Sequence, residues 1–317
     1  MRKESEHVFQ EFDERKQAKQ RAEYITPKIL REFIAQYVNG ENVTILEPAI
    51  GSGQLLEYVK NKIKSVDGYD VSVDVCNALK NNFGSKCNFY NQSFLQSKLT
   101  KNYDYAISNY PFSLKFKDNT DDAKAVLNDD LLKQFYQKTV TGVMDFPFIL
   151  KSFNVSNKGL FLCFPGIGYR NTEKKFREYL VKNNFLVEYG ILEEVNFEHT
   201  SISILFMFLS KEKQNKSVKS FYKNFKTKEY EEKYVEQFDD NYTFEIPKKI
   251  AIDSFDKFDA VAEELKARKQ VEDMLFKQIQ FSKSIYELDE DVRQKAPSVP
   301  EWVDNICKKL KHLFTLA

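Results

Sequence analysis

Short runs of apolar residues alternate with amphipathic stretches between residues 43 and 210. The runs have the length and composition of buried strands, and most of the stretches between them carry apolar residues at helical spacing. Seven strands are predicted: VTILE (43–47), VDGYDV (66–71), CNFY (87–90), YDYAIS (103–108), GLFLCFP (159–165), FLVEYGIL (185–192) and SISILFMFL (201–209). This alternation predicts an α/β fold with a doubly wound, mostly parallel seven-stranded sheet. Ligands of such sheets bind outside the carboxyl ends of the strands.

The pattern changes after residue 210. Residues 211–228 contain seven lysines against one glutamate, a net charge of +6. An apolar stripe then predicts one long helix, followed by the breaker APSVP and a short amphipathic helix. The stripe consists of Phe258, Val261, Leu265, Leu275, Ile279 and Ile285. The predicted regions are a short N-terminal helical arm (1–22), the sheet domain (23–210), a Lys/Tyr-rich extension (211–249) and a helical C-terminal extension (250–317).

Composition and charge limit the class of protein. Apolar residues make up 42% of the 317 residues, enough for a large core, and the formal net charge is only +1. Such a balance argues against a protein that coats nucleic acid by charge alone. The N-terminus is polar, and no window reaches the roughly 18 apolar residues of a membrane span, so a protein without a secretory signal or membrane anchor is expected. Four scattered cysteines predict neither a disulfide nor a metal site and fit the reducing cytoplasm.

A glycine turn follows the first predicted strand in VTILEPAIGSGQLLEYV. Gly51 and Gly53 allow backbone to approach a ligand closely, although an ordinary βα connection uses glycines in the same way. Leu56 stands where the dinucleotide fingerprint has its third glycine, which favours a smaller adenosine-containing ligand over NAD. Asp70 ends the next strand about 20 residues later, where a carboxylate accepts ribose hydroxyls or begins a turn. Upstream, YITPKILREF predicts a helix with Thr26 as its N-cap and Pro27 in its first position.

These and further motifs together resemble the adenine-specific DNA methyltransferases that use S-adenosylmethionine, and more narrowly the modification subunits of type I restriction–modification systems. The motifs run in uninterrupted order from residue 24 to 210: YITPKIL, ILEPAIGSGQLL, GYDVS, NQSFL, YDYAISNYPF, DFPFILKSF, GLFLCFPG and FEHTSISILFMFLSK. The resemblance implies a Rossmann-like class I methyltransferase fold for residues 23–210.

The same resemblance implies where S-adenosylmethionine is held. The methionine end lies near Thr26, Glu47, Ala49 and Gly51, the ribose is held by Asp70, and the adenine ring is flanked by Ser93 and Phe94. The whole implied set is Tyr24, Thr26, Glu47, Pro48, Ala49, Gly51, Ser52, Gly53, Asp70, Val71, Ser93, Phe94 and Asn109. The family usually has Asp where this chain has Ser93. The contact to the adenine amine is therefore expected to be weaker, by about 0.5–1.5 kcal/mol, or to come from Asn91.

The tetrapeptide Asn109–Phe112, NYPF, ends the fourth predicted strand. Adenine's exocyclic amine is a poor nucleophile because its lone pair is delocalised, and two acceptors on its hydrogens favour the tetrahedral geometry that methyl transfer needs. The candidate acceptors are the side-chain oxygen of Asn109 and the backbone carbonyl of Tyr110, whose direction is restricted by Pro111. Positioning of this kind requires no strong base. The same tetrapeptide in isolation is more simply read as a turn.

By resemblance, Phe112 stacks on a base flipped out of the duplex, and Phe197 covers the base's other face. The family usually has Asn-Pro-Pro-aromatic, so Tyr110 is a second departure, which removes the rigidity of the first proline. His199 is interpreted as a loop residue rather than a general base. The acidic stretch KDNTDDAKAVLNDD (117–130) lacks EF-hand spacing, and we predict a solvated loop near the base pocket with no metal.

The resemblance also implies partners. No module that reads DNA sequence is recognisable after residue 210, and the long C-terminal helix resembles those that dock on a separate specificity subunit. Packing of that helix on its own domain is an equal alternative. The helical domain that precedes the cofactor motifs in typical members is reduced here to the arm 1–22, which suggests a compact variant.

The primary hypothesis is an enzyme that methylates adenine in double-stranded DNA, with a specificity subunit and, where a nuclease is present, a restriction subunit. The alternatives are methylation of RNA or of a protein amide, and a catalytically silent binding protein. The departures at Ser93 and Tyr110 favour the silent protein. Binding of S-adenosylmethionine distinguishes it from the enzymes.

Overall fold

The structure is a computed structural model, and it describes residues 26–112, 114–136, 139–197, 200–212 and 217–247. The side chains of residues 196, 197 and 200–202 are not part of that description. Two predicted regions, the N-terminal arm (1–22) and the helical C-terminal extension (250–317), lie outside the described residues.

Nine strands form one sheet. They are β1 (Val43–Glu47), β2 (Ile63–Asp70), β3 (Cys87–Asn91), β4 (Tyr103–Ser108), β5 (Ser156–Cys163), β6 (Leu186–Phe197), β7 (Thr200–Ser210), β8 (Val218–Asn224) and β9 (Tyr230–Val235). The α-helices of the described residues are α1 (Lys28–Ala35), α2 (Cys76–Phe83), α3 (Thr120–Asn128), α4 (Asp145–Asn154) and α5 (Lys174–Lys182). The longest of the 3₁₀ helices spans Gln54–Lys62.

The strand order is β3-β2-β1-β4-β5-β7-β6-β8-β9. Strands β1 to β5 are mutually parallel, β7 is antiparallel to both β5 and β6, and β8 is parallel to β6. The order reverses between β1 and β4, so the sheet has a switch point there, where ligands bind in folds of this kind. The carboxyl ends of β1 to β6 and of β8 therefore share one edge of the sheet.

The doubly wound, mostly parallel fold is confirmed, but the predicted number of seven strands is wrong. The additional strands β8 and β9 come from the Lys/Tyr-rich stretch after residue 210. Phe221 and Tyr222 are buried on opposite faces of β8, while Lys219 pairs with Glu188 at 3.3 Å and Glu232 at 3.0 Å. The high lysine content hid a strand whose apolar residues are Val218, Phe221 and Tyr222.

Helices cover both faces of the sheet. On one face α1 packs through Leu30, Phe33 and Ile34 into a cluster that includes Ile45 and Phe206. On the other face α4 packs on β5, and Phe146 of α4 stacks on Phe176 of α5 with ring centroids 5.4 Å apart. The amphipathic stretch that follows the glycine turn forms a 3₁₀ helix, Gln54–Lys62, rather than an α-helix. In the described ranges, no helix combines the length and the apolarity that a membrane crossing requires.

Candidate active site at the carboxyl edge of the sheet

Strand register brings the sequence motifs together at one edge. Glu47, the last residue of β1, lies opposite Gly68 of β2, and Asp70 at the end of β2 lies opposite Asn91 at the end of β3. On the other side β1 pairs with β4, which ends at Ser108 and leads directly into Asn109. The four motifs from ILEPAIGSGQLL to YDYAISNYPF therefore lie at the ends of four adjacent strands, as the prediction of ligand binding at the carboxyl ends requires.

The turn after β1 borders open space at Gly51 and packs against the core at Gly53. Gly51 and Gly53 have φ angles of +51° and +77°, a region in which side chains are disfavoured. A Cβ atom on Gly51 would meet nothing within 4 Å, whereas one on Gly53 would lie 2.4 Å from the Phe83 ring. Gly51 therefore borders open space, and Gly53 is required by the core. Pro48, Ala49 and Ser52 lie in the same turn.

Asp70 is already bonded to the glycine turn. Its Oδ2 accepts a hydrogen bond from the Gly51 backbone N–H at 3.0 Å, and its Oδ1 accepts one from the Ser72 N–H at 2.7 Å. A carboxylate oxygen can accept more than one hydrogen bond, so these two bonds do not prevent Asp70 from accepting hydroxyl donors as well. The neighbouring Val71 side chain is 64% exposed, an apolar surface that a ligand would cover. The hydrogen bonds that fix Asp70, Gly51 and Ser72 are therefore in place without a ligand.

Ser93 and Phe94 follow β3 beside Asp70. The Ser93 hydroxyl donates to Oδ1 of Asp122, on α3, at 2.6 Å. The Phe94 ring is only 2% exposed and packs against Tyr69 and Phe148, with centroid distances of 5.3 and 5.8 Å. The Phe94 ring is therefore part of the core next to Asp70, and neither face of the ring is open to a ligand. Asn91 donates its side-chain amide to the Asp70 carbonyl at 3.1 Å.

Asn109 and Thr26 meet although they are 83 residues apart in sequence. The Asn109 Nδ2 donates to the Thr26 hydroxyl oxygen at 2.9 Å. The predicted N-cap role of Thr26 is wrong, because Pro27 is the N-cap of α1 and no side chain caps that helix. The Asn109 Oδ1 is buried, and none of the described residues forms a hydrogen bond with it. Since Oδ1 is shielded from solvent, a substrate amine can reach it only after the side chains around it move.

Glu47 is a second buried acceptor without a full set of partners. Its side chain is 2% exposed, and its Oε2 has no hydrogen-bond partner among the described residues. Burial raises the pKa of this carboxyl well above its ordinary value, and the charge of Asp70 adds to the effect. An unpaired buried acceptor costs about 1–3 kcal/mol, so a cationic donor at this position would be strongly favoured.

Tyr110 occupies the place of the usual proline, and its side chain points into the core. The ring is 1% exposed, stacks on Phe148 at 5.9 Å with an interplanar angle of 14°, and meets the edge of Phe112 at 5.9 Å. Burial raises the pKa of its hydroxyl well above the ordinary value. The buried ring anchors the backbone whose carbonyl precedes Pro111.

The remaining predicted residues are described in part. Phe112 is half-buried against the core cluster. The Phe197 backbone ends β6, but its side chain lies outside the described residues, as do Tyr24 and His199. The acidic stretch 117–130, predicted to be a loop, forms α3 with Asp122 and Val126 buried. In the part of the chain that the structure describes, no group of three or more His, Cys, Asp or Glu is arranged to hold a metal ion.

Sequence reasoning missed three polar residues at this edge. The Ser108 hydroxyl, at the end of β4, and the Gln54 side-chain nitrogen, directly after the glycine turn, are buried and have no hydrogen-bond partner in the described ranges. Asp122 was read as part of a solvated stretch. Gln54 had a detectable signal, since it is a polar residue at the start of an apolar segment. Asp122 had none, because its burial depends on how α3 folds back.

Comparisons with known proteins agree with this geometry. The family described as N-6 DNA Methylase matches residues 5–285. A curated relative, the type I restriction enzyme MpnII methylase subunit of Mycoplasma pneumoniae, is 26% identical over 224 residues, which cover 61% of this chain and 41% of that protein.

Two solved structures share the fold. The type I restriction-modification system methyltransferase subunit from Streptococcus thermophilus has a TM-score of 0.55 at 20% identity, covering 63% of this chain and 47% of that one. The type IIG restriction endonuclease BpuSI has a TM-score of 0.51 at 16% identity, covering 65% of this chain and 28% of that one.

This chain therefore spans less than half the length of each of these three relatives. The family match covers most of the chain, from the segment before α1 to well beyond β9. The chain belongs to the N-6 DNA methylase family.

Proposed function

We propose that the chain transfers a methyl group from S-adenosylmethionine to the exocyclic amine of adenine in double-stranded DNA, as the modification subunit of a restriction–modification system. The observation that carries the proposal is the contact between Thr26 and Asn109. It occupies the donor group of the amide and leaves Oδ1, a buried acceptor without a partner, for a substrate amine. Membership of the N-6 DNA methylase family supports the same reaction.

The residues at the edge of the sheet fit S-adenosylmethionine. Glu47 offers a buried carboxylate oxygen for the ammonium of the methionine end, and Gly51 leaves backbone open on its ligand side. Asp70 retains lone pairs for the two ribose hydroxyls, and the exposed Val71 offers an apolar surface to the adenine ring. When bound, the cofactor supplies an electrophilic methyl group on a sulfonium.

Catalysis in this proposal is positioning by oxygen acceptors. The Asn109 Oδ1 accepts one hydrogen of the target amine, and the Tyr110 backbone carbonyl accepts the other. The two bonds draw the nitrogen lone pair out of conjugation with the ring and aim it at the electrophile. Thr26 fixes the Asn109 rotamer, and the buried ring of Tyr110 together with Pro111 fixes the carbonyl.

The target adenine must leave the duplex for its amine to reach Asn109, because the amine is inaccessible inside the stack. Flipping costs a few kcal/mol, and stacking on Phe112 offsets part of that cost. The buried state of Oδ1 means that the pocket opens as the base enters. Phe197 would cover the second face of the base.

The proposal includes partners and location. Relatives are named as methylase and methyltransferase subunits of type I restriction systems, which supports a separate DNA-specificity subunit and, with a nuclease, a restriction subunit. Such a complex would act on DNA in the cytoplasm. The described residues show no second domain that could read a DNA sequence, and the DNA sequence read by the complex is set by the partner.

The test is a methyl-transfer assay with the chain purified together with its partner subunit. S-adenosylmethionine carrying a labelled methyl group is supplied with DNA, RNA and protein extract in one reaction, and each fraction is counted after separation. We expect label in DNA alone. Label confined to RNA or protein would redirect the proposal to another amine or amide, and cofactor binding without transfer to any fraction would favour a silent binding protein.

A further inference from the structure

The carboxylate of Asp122 lies over the turn that follows β3. Asp122 is in the first turn of α3, which packs on the 3₁₀ turn Phe94–Gln96, and its side chain is only 7% exposed. The neighbouring Asp121 is an exposed residue that pairs with Lys124 at 2.9 Å. One of two consecutive aspartates is therefore directed into the protein, beside the position where the family's usual Asp is replaced by Ser93.

Two neutral donors hold this carboxylate by one oxygen. The Asp122 Oδ1 accepts hydrogen bonds from the Ser93 hydroxyl at 2.6 Å and from the Gln96 side-chain amide at 2.8 Å. No described residue donates a hydrogen bond to Oδ2, and no described cation forms a salt bridge with Asp122, although the charge of Lys151 acts on it at longer range. A nearly buried carboxylate whose second oxygen accepts no hydrogen bond from the described residues is an acceptor prepared for an additional donor.

The turn beneath is itself fixed. Lys151 of α4 is 7% exposed, and its Nζ donates to the carbonyls of Leu95 and Ser97 at 2.6 and 2.7 Å. This lysine is thereby committed to the backbone. Lys151 and Asp122 therefore both bond to the segment around the 3₁₀ turn Phe94–Gln96. These bonds fix the Asp122 carboxylate and Ser93 in one geometry.

We propose that Asp122, held by Ser93 and Gln96, accepts the hydrogen bond from the exocyclic amine of the cofactor's adenine. The inference rests on the proposed function, since it specifies how this chain recognises the base of S-adenosylmethionine. A carboxylate at residue 93 in addition to that of Asp122 would bring two like charges within hydrogen-bonding distance. A serine at residue 93 is therefore compatible with the Asp122 carboxylate, whereas an aspartate would repel it. The carboxylate that the family usually has after β3 is in this chain on α3.

The test uses a pair of cofactor products that differ only at the amine edge of the purine. S-adenosylhomocysteine carries the exocyclic amine and an unprotonated N1, and S-inosylhomocysteine carries a carbonyl oxygen and a protonated N1, so the Asp122 variants identify the part of the preference that comes from this carboxylate. Calorimetric titration of the full chain should show a preference for the adenosine compound of roughly tenfold to a hundredfold, as expected for a hydrogen bond to a charged group. Asp122→Ala should weaken adenosine binding by a similar factor and remove the preference.

Two further variants separate recognition from a merely structural role. Asp122→Asn keeps the acceptor for Ser93 and Gln96 but turns an amide donor toward the ligand, so the preference should reverse toward the inosine compound. The exchange Ser93→Asp with Asp122→Ser should restore the preference for adenosine. Asp121→Ala, the matched control on the exposed neighbour, should bind both compounds as the unaltered chain does.

The outcomes separate this inference from the proposed function. Failure of the unaltered chain to bind S-adenosylhomocysteine would overturn both. Normal binding with an undiminished adenosine preference in Asp122→Ala and Asp122→Asn would overturn the inference alone and leave the proposed function standing. Thermal unfolding of each variant shows whether Asp122→Ala is folded, and the exchange variant tests the inference independently if it is not.

Discussion

The two sides of the candidate site differ in how their polar groups are satisfied. On the side of β2 and β3, Asp70 is bonded to Gly51 and Ser72, and Ser93 is bonded to Asp122. On the side of β1 and β4, three buried groups have no hydrogen-bond partner among the described residues: the Oε2 of Glu47, the Ser108 hydroxyl and the Oδ1 of Asn109. The polar groups of the first side are already bonded to the protein, and those of the second have no donor in the described part of the chain.

The difference separates nucleoside binding from the contacts that form when a donor arrives. A corner whose polar groups are already bonded binds a nucleoside with little reorganisation, so its residues should govern cofactor affinity. Buried acceptors without described donors destabilise the free protein by about 1–3 kcal/mol each, and each gains most when its own donor arrives: the cofactor's ammonium at Glu47 and the target amine at Asn109. Substitutions on the two sides should accordingly have different effects on cofactor affinity and on methyl transfer.

The largest effect is expected for Asn109→Ala. It removes one of the two acceptors for the target amine, and methyl transfer to DNA should fall by about 10²–10³-fold or more. Cofactor affinity should change by no more than about threefold, since Asn109 lies on the side of the target amine. Labelled methyl transfer and calorimetry measure the two quantities.

Asn183→Ala is the matched control for that variant, because it removes an exposed amide bonded to the Tyr179 carbonyl. It should leave both quantities unchanged. A parallel loss of cofactor affinity and transfer in Asn109→Ala, with the fold intact, would contradict the division between the two sides.

Asp70→Ala should give the opposite pattern. It removes the ribose acceptor and leaves the Gly51 and Ser72 N–H groups without their partner, so cofactor affinity should fall by about a hundredfold. The free energy of unfolding should also fall, by about 1–3 kcal/mol. Asp74→Ala removes an exposed carboxylate nearby and should do neither. Equal affinity of the two variants in calorimetry would refute the role of Asp70.

Glu47→Gln should change how cofactor affinity depends on pH. Because burial raises the pKa of this carboxyl in the free protein, a rise in pH ionises it and strengthens its pairing with the ammonium of the methionine end. Affinity should therefore increase with pH in the unaltered chain. In Glu47→Gln it should be about tenfold to a hundredfold lower at high pH, with this part of the pH dependence lost. The same pH profile in both proteins would rule out Glu47 as the group.

The same substitution also tests stability. A carboxyl whose pKa is raised by folding stabilises the folded state below its unfolded pKa, and this contribution is lost as pH rises toward the folded value. At neutral pH, Glu47→Gln should therefore have a higher melting temperature than the unaltered chain, and near pH 4 the difference should shrink. Melting curves of both proteins at the two pH values measure how much stability the chain loses by keeping an ionisable residue at this functional position.

The smallest effect is expected for Tyr110→Phe. Its buried hydroxyl faces the Cys163 thiol, which is only a weak hydrogen-bond partner, so removal should change the free energy of unfolding by less than about 1 kcal/mol and leave transfer intact. Tyr110→Ala deletes the ring that packs on Phe148 and should cost about 3–5 kcal/mol. Chemical denaturation measures both. A large loss in Tyr110→Phe would show that the hydroxyl, rather than the ring, anchors the backbone.

Much of the fold was predictable because strands of a parallel sheet are short apolar runs. The bounds of β1 and β4 agree with the sequence prediction, and every predicted strand is present. The edge strand β9 and its neighbour β8 were missed because their exposed positions carry lysine and glutamate, so the composition resembles a solvated segment. Local patterns identify central strands better than edge strands.

The site was predictable as far as its groups lie within continuous motifs. The neighbourhood of Gly51 and Asp70 follows from strand order, and the contact of Thr26 with Asn109 joins two recognised motifs. The place of Asp122 was not predictable, since it depends on the fold of a stretch whose sequence is acidic and polar. Neither was the burial of the Tyr110 ring, which depends on Phe148 of α4.

The central claim is that the Asn109 oxygen and the Tyr110 carbonyl hold an adenine amine beside a bound methyl donor. The most direct measurement is mass spectrometry of nucleosides from DNA that was methylated by the chain with its partner subunit. We expect the transferred methyl on the exocyclic nitrogen of deoxyadenosine, and none after Asn109→Ala. A methyl group on cytosine, or undiminished methyladenine with Asn109→Ala, would contradict the claim.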